Sequence, residues 1–302
     1  MSRDLTLVPL RPSLRPLLLA VGIAACALAA CDRDRAPPAA TPATPVAQPA
    51  PPPTQAIDLK DISESDPRYV VGVSYPPAAA KYPGLAKALH DYTESSRAAL
   101  MQAVAAMPAG QSPGPYDLTL NYTLLAETPD LVAVAADGSS FTGGAHGTPL
   151  VARFLWLPKQ NALLTPQALF ADAKAWTAIS DDVREQLHTE LSQRIEEDNL
   201  APADRAEQLK LGNGMIDDGT APKLESFALF EPVLTDTGKL RALKFVFAPA
   251  QVAPYVEGVR TVEVPTERFQ AFLAPQVRDL FVVAPAAAPV APTDPAAPQP
   301  TR

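Results

Sequence analysis

Cysteine and histidine are both scarce in this chain of 302 residues. Its two cysteines, Cys26 and Cys31, lie in the first 31 positions, which excludes a disulfide scaffold and leaves the fold to rest on its core. Only three histidines occur, at 90, 146 and 188. Basic residues are outnumbered, and the net charge of −8 argues against a nucleic-acid binder, which needs a basic face. No apolar run reaches the roughly 20 residues of a confident membrane span, and the composition also excludes collagen and a long coiled coil. Familiar catalytic signatures are missing as well: there is no HExxH, CxxC, Walker loop, GxSxG or SxxK, each of which carries a defined chemistry. Carboxylate pairs are abundant, yet the sequence sets no two of them across a cleft at glycosidase separation. These absences point towards binding rather than catalysis, with no cofactor and no metal.

The N-terminus reads as an address. Arg3, Arg11 and Arg15 precede a short apolar run, Pro16 to Cys31, that ends in small residues, the pattern of a secretory signal. Leu28-Ala29-Ala30-Cys31 resembles the bacterial lipobox, in which the cysteine is lipidated and becomes the first mature residue. Ile23-Ala24-Ala25-Cys26 is a weaker second copy. Cleavage before Cys31 leaves no free thiol in an oxidising compartment, whereas cleavage before Cys26 leaves Cys31 unpaired, so Cys31 is the expected lipidation site. The mature chain then carries a net charge of −10, and several acyl chains make a stable anchor where one is marginal. The expected location is periplasmic, lipid-anchored to a bacterial membrane. The outer membrane is slightly favoured, although Asp32 after the cysteine points to the inner membrane in enteric bacteria.

The chain then divides by composition. Residues 31–56 form a Pro/Ala-rich tether after the lipidated cysteine, and 284–302 form a tail of the same kind; 14 of the 35 prolines fall in 32–56 and 284–302, a density unsuited to a packed core. Residues 57–283 are long enough to bury one. Arg68–Tyr75 reads as a strand, and Leu85, Leu89, Tyr92, Leu100, Val104 and Met107 share a helical stripe that stops at Pro108 and Gly110. Tyr116–Glu127 alternates with period two, and Leu131–Ala136 and Pro149–Leu157 continue it as a meander. A second helical block runs from Pro166, with Trp176, Ile179, Val183, Leu187, Leu191 and Ile195 in one stripe and a short helix over Asp204–Leu211. Strands are expected at Phe227–Phe230, Leu240–Phe247 and Val259–Val264, with a hairpin turn at Thr237-Gly238 and a final helix from Pro265 carrying Phe269, Phe272 and Leu273. Because helices and strands come in blocks, the expected class is α+β: an antiparallel sheet (meander) with packed helices. It forms a single domain of two contiguous halves, 57–165 and 166–283.

Few residues invite chemistry. His90 and His188 sit beside apolar stripes and read as helix-surface or boundary residues. Asp217-Asp218-Gly219 after Asn213-Gly214 reads as a solvated turn, lacking the spacing of a calcium loop. The most distinctive stretch is Phe141-Thr142-Gly143-Gly144-Ala145-His146-Gly147, with three glycines in five residues. Such a run asks for a backbone that visits positive φ or approaches another group closely. It is either a bent corner where a strand leaves its sheet, or a recognition surface of exposed amides and His146.

This stretch is similar to the aromatic-Thr-Gly-Gly-Ala-His motif of the RsiV/PdaC-type family of extracytoplasmic bacterial domains. That family includes the external domain of a lysozyme-sensing anti-sigma factor and the N-terminal domain of a peptidoglycan deacetylase; many members are domains of unknown function. A second signature, Phe245-Val246-Phe247-Ala248-Pro249-Ala250-Gln251-Val252-Ala253-Pro254-Tyr255-Val256-Glu257-Gly258, resembles the family's Phe-x-Phe…Pro…Val-Ala-Pro-Tyr-x-x-Gly pattern. Order and spacing agree over 68–283. Ala250 stands where the family pattern has an aromatic. An anti-sigma role is not expected, because about 15 residues precede the apolar run and a lipobox replaces the spanning helix. Nor is deacetylase activity expected, since residues 57–283 match only the external binding module.

The resemblance implies a lysozyme-like muramidase or another peptidoglycan hydrolase as partner, bound and blocked by an inhibitor or toxin-immunity protein. Gly143, Gly144, His146, Pro254 and Tyr255 are the candidate contacts, and no catalytic residue is assigned. Opposite charge would speed encounter with a basic enzyme. The alternative is a lipoprotein that binds peptidoglycan itself, with Tyr116, Tyr122 and Trp156 as sugar platforms unless they are core. A third reading is a hydrolase that pairs His146 with a carboxylate.

Overall fold

The computed structural model describes residues 57–107 and 114–283. The expected signal sequence, Cys26 and the candidate lipidation site Cys31, and the expected tether and tail lie outside them. Nine strands and four α-helices are present among the described residues. Strands β1 (Ile62–Asp66), β2 (Tyr69–Ser74), β3 (Tyr116–Glu127), β4 (Val132–Phe141), β5 (Thr148–Leu157) and β6 (Ala162–Leu163) form one sheet in sequence order. Helix α1 (Pro83–Ala105) crosses over between β2 and β3, which makes that pair parallel; every other pair is antiparallel. The fold is therefore α+β, as its block pattern implies.

Alternation decides which face each β4 residue takes. Val132, Val134 and Ala136 join Leu85, Leu89 and Leu100 of α1, while Leu131 and Ala133 join the cluster on the opposite face. The whole run Leu131–Ala136 is at most 2% exposed, and a strand covered on both faces reads as continuous rather than alternating hydrophobicity. The second cover consists of β7 (Phe230–Leu234), β8 (Leu240–Phe247) and β9 (Arg260–Pro265) as a three-stranded sheet. Helices α2 (Pro166–Leu169), α3 (Lys174–Glu197) and α4 (Pro202–Gly219) belong to the same half. All six stripe residues of α3 are buried against this sheet's cluster. Phe227 packs among Trp176, Phe245 and Phe247, with ring centroids 5.3–6.1 Å apart.

A charged strut crosses between the sheets. Arg153 on β5 donates to Glu231 on β7 at 2.8 Å and to Asp137 at 2.9 Å, and Lys244 on β8 reaches the other Glu231 oxygen at 2.6 Å. The Arg153 and Glu231 side chains are 5% and 9% exposed. Each buried charge has its partners, without which its desolvation would cost several kcal/mol, of order 3–5.

Three expected elements differ, and one strand is unexpected. β1 has the polar sequence ISESD and carries no period-two signal strong enough to read. The strand placed at Phe227–Phe230 is a 3-10 turn, Leu224–Phe227, and the strand itself is Phe230–Leu234. The final helix from Pro265 resolves into 3-10 turns at 266–268, 270–272 and 278–280. Phe269 leaves helical geometry (φ −129°, ψ 0°) and Leu273 is extended (ψ 133°) two residues before Pro275. Lastly, α4 is much longer than Asp204–Leu211, running through Asn213-Gly214 to Gly219, so the solvated turn at 213–219 is helix. Gly212 serves contact: a Cβ there would lie 2.6 Å from Cδ2 of Leu191 on α3.

Candidate binding site

The glycine-rich stretch is the tip of the β4–β5 hairpin. Ser140 pairs with Thr148, and residues 141–147 close the loop. Gly143 and Gly144 hold φ values of 95° and 98°, a region open to glycine and strained for side chains with a Cβ. Beneath them, Tyr116 meets Phe141 edge-on at 6.5 Å, and a Cβ at Gly143 would only touch the Tyr116 ring. The corner and the display of residues are thus the same structure, since Gly144, Ala145 and His146 all face solvent.

The Pro-Tyr segment lies in the connection between β8 and β9. Tyr255–Glu257 forms a 3-10 turn, with Glu257 N–H bonded to Pro254 at 2.9 Å and Gly258 closing it at φ 71°. The Tyr255 hydroxyl donates to the Gly147 carbonyl at 2.9 Å, and the His146 and Tyr255 rings lie 5.5 Å apart. Two segments 108 residues apart in sequence therefore meet on one exposed surface. Pro254 and Tyr255 are exposed, and Val256 is 91% exposed at the apex of the turn.

Ion pairs and a left-handed residue hold this turn from behind. Glu257 accepts from Arg194 of α3 at 2.8 Å and lies 3.9 Å from Arg260, which pairs with Glu190 at 2.9 Å. Ala250 adopts φ 71°, a strained choice for a non-glycine residue of the kind that collects at functional sites. It is held there by Gln251, whose amide donates to the carbonyls of Gly219 and Ser226 at 3.1 and 2.9 Å.

Val256, Gln251, Arg194, Glu257 and Arg260 are the parts of the site that sequence reading misses. A valine between Tyr and Glu in a Pro-to-Gly loop is a visible signal for Val256. The charged residues come from different elements and have none.

The other candidates fall elsewhere. Tyr122 and Trp156 are 4% and 5% exposed and belong to the core around α1, so they offer no sugar platform; Tyr116 lies half-buried below the corner. His146 has no carboxylate partner among the described residues, so the pairing a His146 hydrolase needs is not formed. His188 ties α3 to α4 through Asn213 at 2.7 Å and Asp217 at 3.3 Å, and the His90 side chain is 43% exposed on α1. Among the described residues no helix is long and apolar enough to cross a membrane.

No protein-family model matches the chain, and no curated protein matches it. Among solved structures it is similar to a DUF3298 family protein from Pseudomonas aeruginosa PAO1, at 14% identity and a TM-score of 0.48, covering 74% of this chain and 96% of that one. It is also similar to a DUF3298 family member from Bacteroides fragilis NCTC 9343, at 15% identity and a TM-score of 0.44, with the same coverage of 74% and 96%.

Proposed function

We propose that this chain is a periplasmic lipoprotein, acylated at Cys31, that binds a lysozyme-like muramidase or another peptidoglycan hydrolase and blocks its cleft without catalysing a reaction itself. The observation that carries this reading is the meeting of the two motif segments at the Tyr255–Gly147 hydrogen bond. The segments that carry the RsiV/PdaC-type resemblance build one exposed, aromatic and apolar surface. That surface is held in place before any partner arrives, which lowers the ordering cost of binding. Its residue types, a Tyr beside a His with a projecting Val, suit a small protein-binding anchor surrounded by polar groups. The acidic mature chain favours encounter with basic enzymes.

Direct peptidoglycan binding is the weaker reading, because two of its three aromatic platforms are core residues. The test is to measure binding and inhibition of a panel of lysozyme-type muramidases by the purified protein, alongside sedimentation with insoluble peptidoglycan free of enzyme. Micromolar or tighter binding to at least one muramidase supports the proposal. Retention by peptidoglycan with no response to any muramidase refutes it.

A further inference from the structure

Beside the pinned turn, α3, α4 and residues 252–260 enclose a groove of about 700 Å³, within the size range of pockets that hold a defined group. Its walls are apolar: Leu191 and Ile195 from α3, Leu211 and Met215 from α4, and Val252 with Pro254 from the loop. Leu211 is 63% exposed, so the groove is apolar surface left open to water. Its mouth is polar. The two arginines there, Arg194 and Arg260, are each paired with glutamates at 2.8–2.9 Å. Asp198 lines the same mouth, and its carboxylate has no ion pair or side-chain hydrogen bond among the described residues. It caps the C-terminus of α3 directly after the exposed Glu196 and Glu197, where the helix dipole adds further negative potential.

An apolar trough ending at an uncompensated carboxylate matches one kind of occupant: a side chain with an aliphatic stem and a cationic head. We infer that this groove receives an arginine or lysine side chain of the protein partner. Its methylene stem would lie along Leu191, Ile195, Leu211 and Met215, with its cation at Asp198. Long basic side chains cover apolar surface in this way while keeping the charge at the water boundary. The inference rests on the proposed reading of the protein as a binder of hydrolases. It extends the contact surface from His146 and Tyr255 across Pro254, which borders both.

The test uses small probes rather than an enzyme, so its failure is distinct from failure of the muramidase assay. Methionine methyl resonances of the full chain are followed while n-hexylguanidinium or hexanoate is added. Met215 reports on the groove, and Met101 and Met107, on and just after α1, serve as internal controls. The expected result is a saturable shift of Met215 alone, with hexylguanidinium binding at least about fivefold more tightly than hexanoate and Asp198→Asn removing most of that preference. Equal affinity for the two probes, tighter binding of hexanoate, or no shift at Met215 up to tens of millimolar probe overturns the assignment. A preference that survives Asp198→Asn overturns the role given to that carboxylate.

Discussion

Two helices of this molecule treat their surroundings in opposite ways. Helix α1 seals the face of the six-stranded sheet it lies on, whereas α4 leans on α3 and leaves apolar surface open. The sealed side includes a closed chain of hydroxyls: Tyr75 donates to Thr93 at 2.7 Å, Thr93 contacts Tyr122 at 2.8 Å, and Tyr122 donates to the Leu89 carbonyl at 3.0 Å. The Tyr75 and Tyr122 rings stack at 4.8 Å. On the open side α4 buries only Ile216 among its apolar residues, and Leu211, Tyr255 and Val256 stay in water. Fully satisfied polar networks specify a core. Exposed apolar residues on a rigid support are the mark of a contact surface. The same fold thus spends one helix on stability and the other on shaping a groove.

The contrast can be broken at graded cost. The largest effect is expected at the strut that joins the two sheets. Arg153→Met leaves Glu231 buried with Lys244 alone and should destabilise the protein by about 3 kcal/mol or more, read by chemical denaturation. Second is the α3–α4 contact. Gly212→Val would place carbon atoms inside contact distance of Leu191 and should cost about 1–3 kcal/mol. Since α4 must shift, the Met215 methyl resonance should move as well.

A smaller effect is expected in the hydroxyl chain. Tyr122→Phe removes two hydrogen-bond contacts and should cost about 1–2 kcal/mol. Burial pushes the Tyr122 and Tyr75 phenols above their ordinary value of 10.0. A folded-state pKa raised above the unfolded value contributes stability that is complete below about pH 10 and is lost as pH rises beyond it. The unfolding free energy should therefore fall above about pH 10, and less steeply in Tyr122→Phe. The smallest stability change belongs to the exposed surface. Tyr255→Phe removes only the bond to Gly147 and should cost within about 1 kcal/mol, while loosening the junction of the two segments and weakening partner binding.

How much of this was legible in the residues follows from where the signal lies. The stripes of α1 and α3 and the alternation of β3 are local, periodic and strong, and the structure places them where their periods put them. β1 was not legible because an edge strand of polar residues carries little periodicity. The extension of α4 through Gly212, Gly214 and Gly219 was hidden because glycine normally breaks helices. Here Gly212 is required by the approach of Leu191, a tertiary fact. The hairpin tip and the Pro-Tyr turn could each be singled out from sequence, but their meeting at Tyr255 and Gly147 depends on the pairing order of two sheets. Asp198 stands in the sequence as the last of three consecutive acids, Glu196-Glu197-Asp198, and its place on the lining of a groove appears only once α4 is packed.

The central claim is that the surface around Val256, His146 and Tyr255 grips a wall-degrading enzyme, and titrating the muramidase panel against the native protein and Val256→Asp tests it most directly. The substitution lies at a 91% exposed position and should leave stability unchanged within about 0.5 kcal/mol. The account predicts at least one muramidase bound at micromolar affinity or better by the native protein and at least about tenfold more weakly by the variant, as expected for burying an unpaired charge in an interface. Equal binding by the two proteins, or no binding by the native protein to any member of the panel, would contradict it.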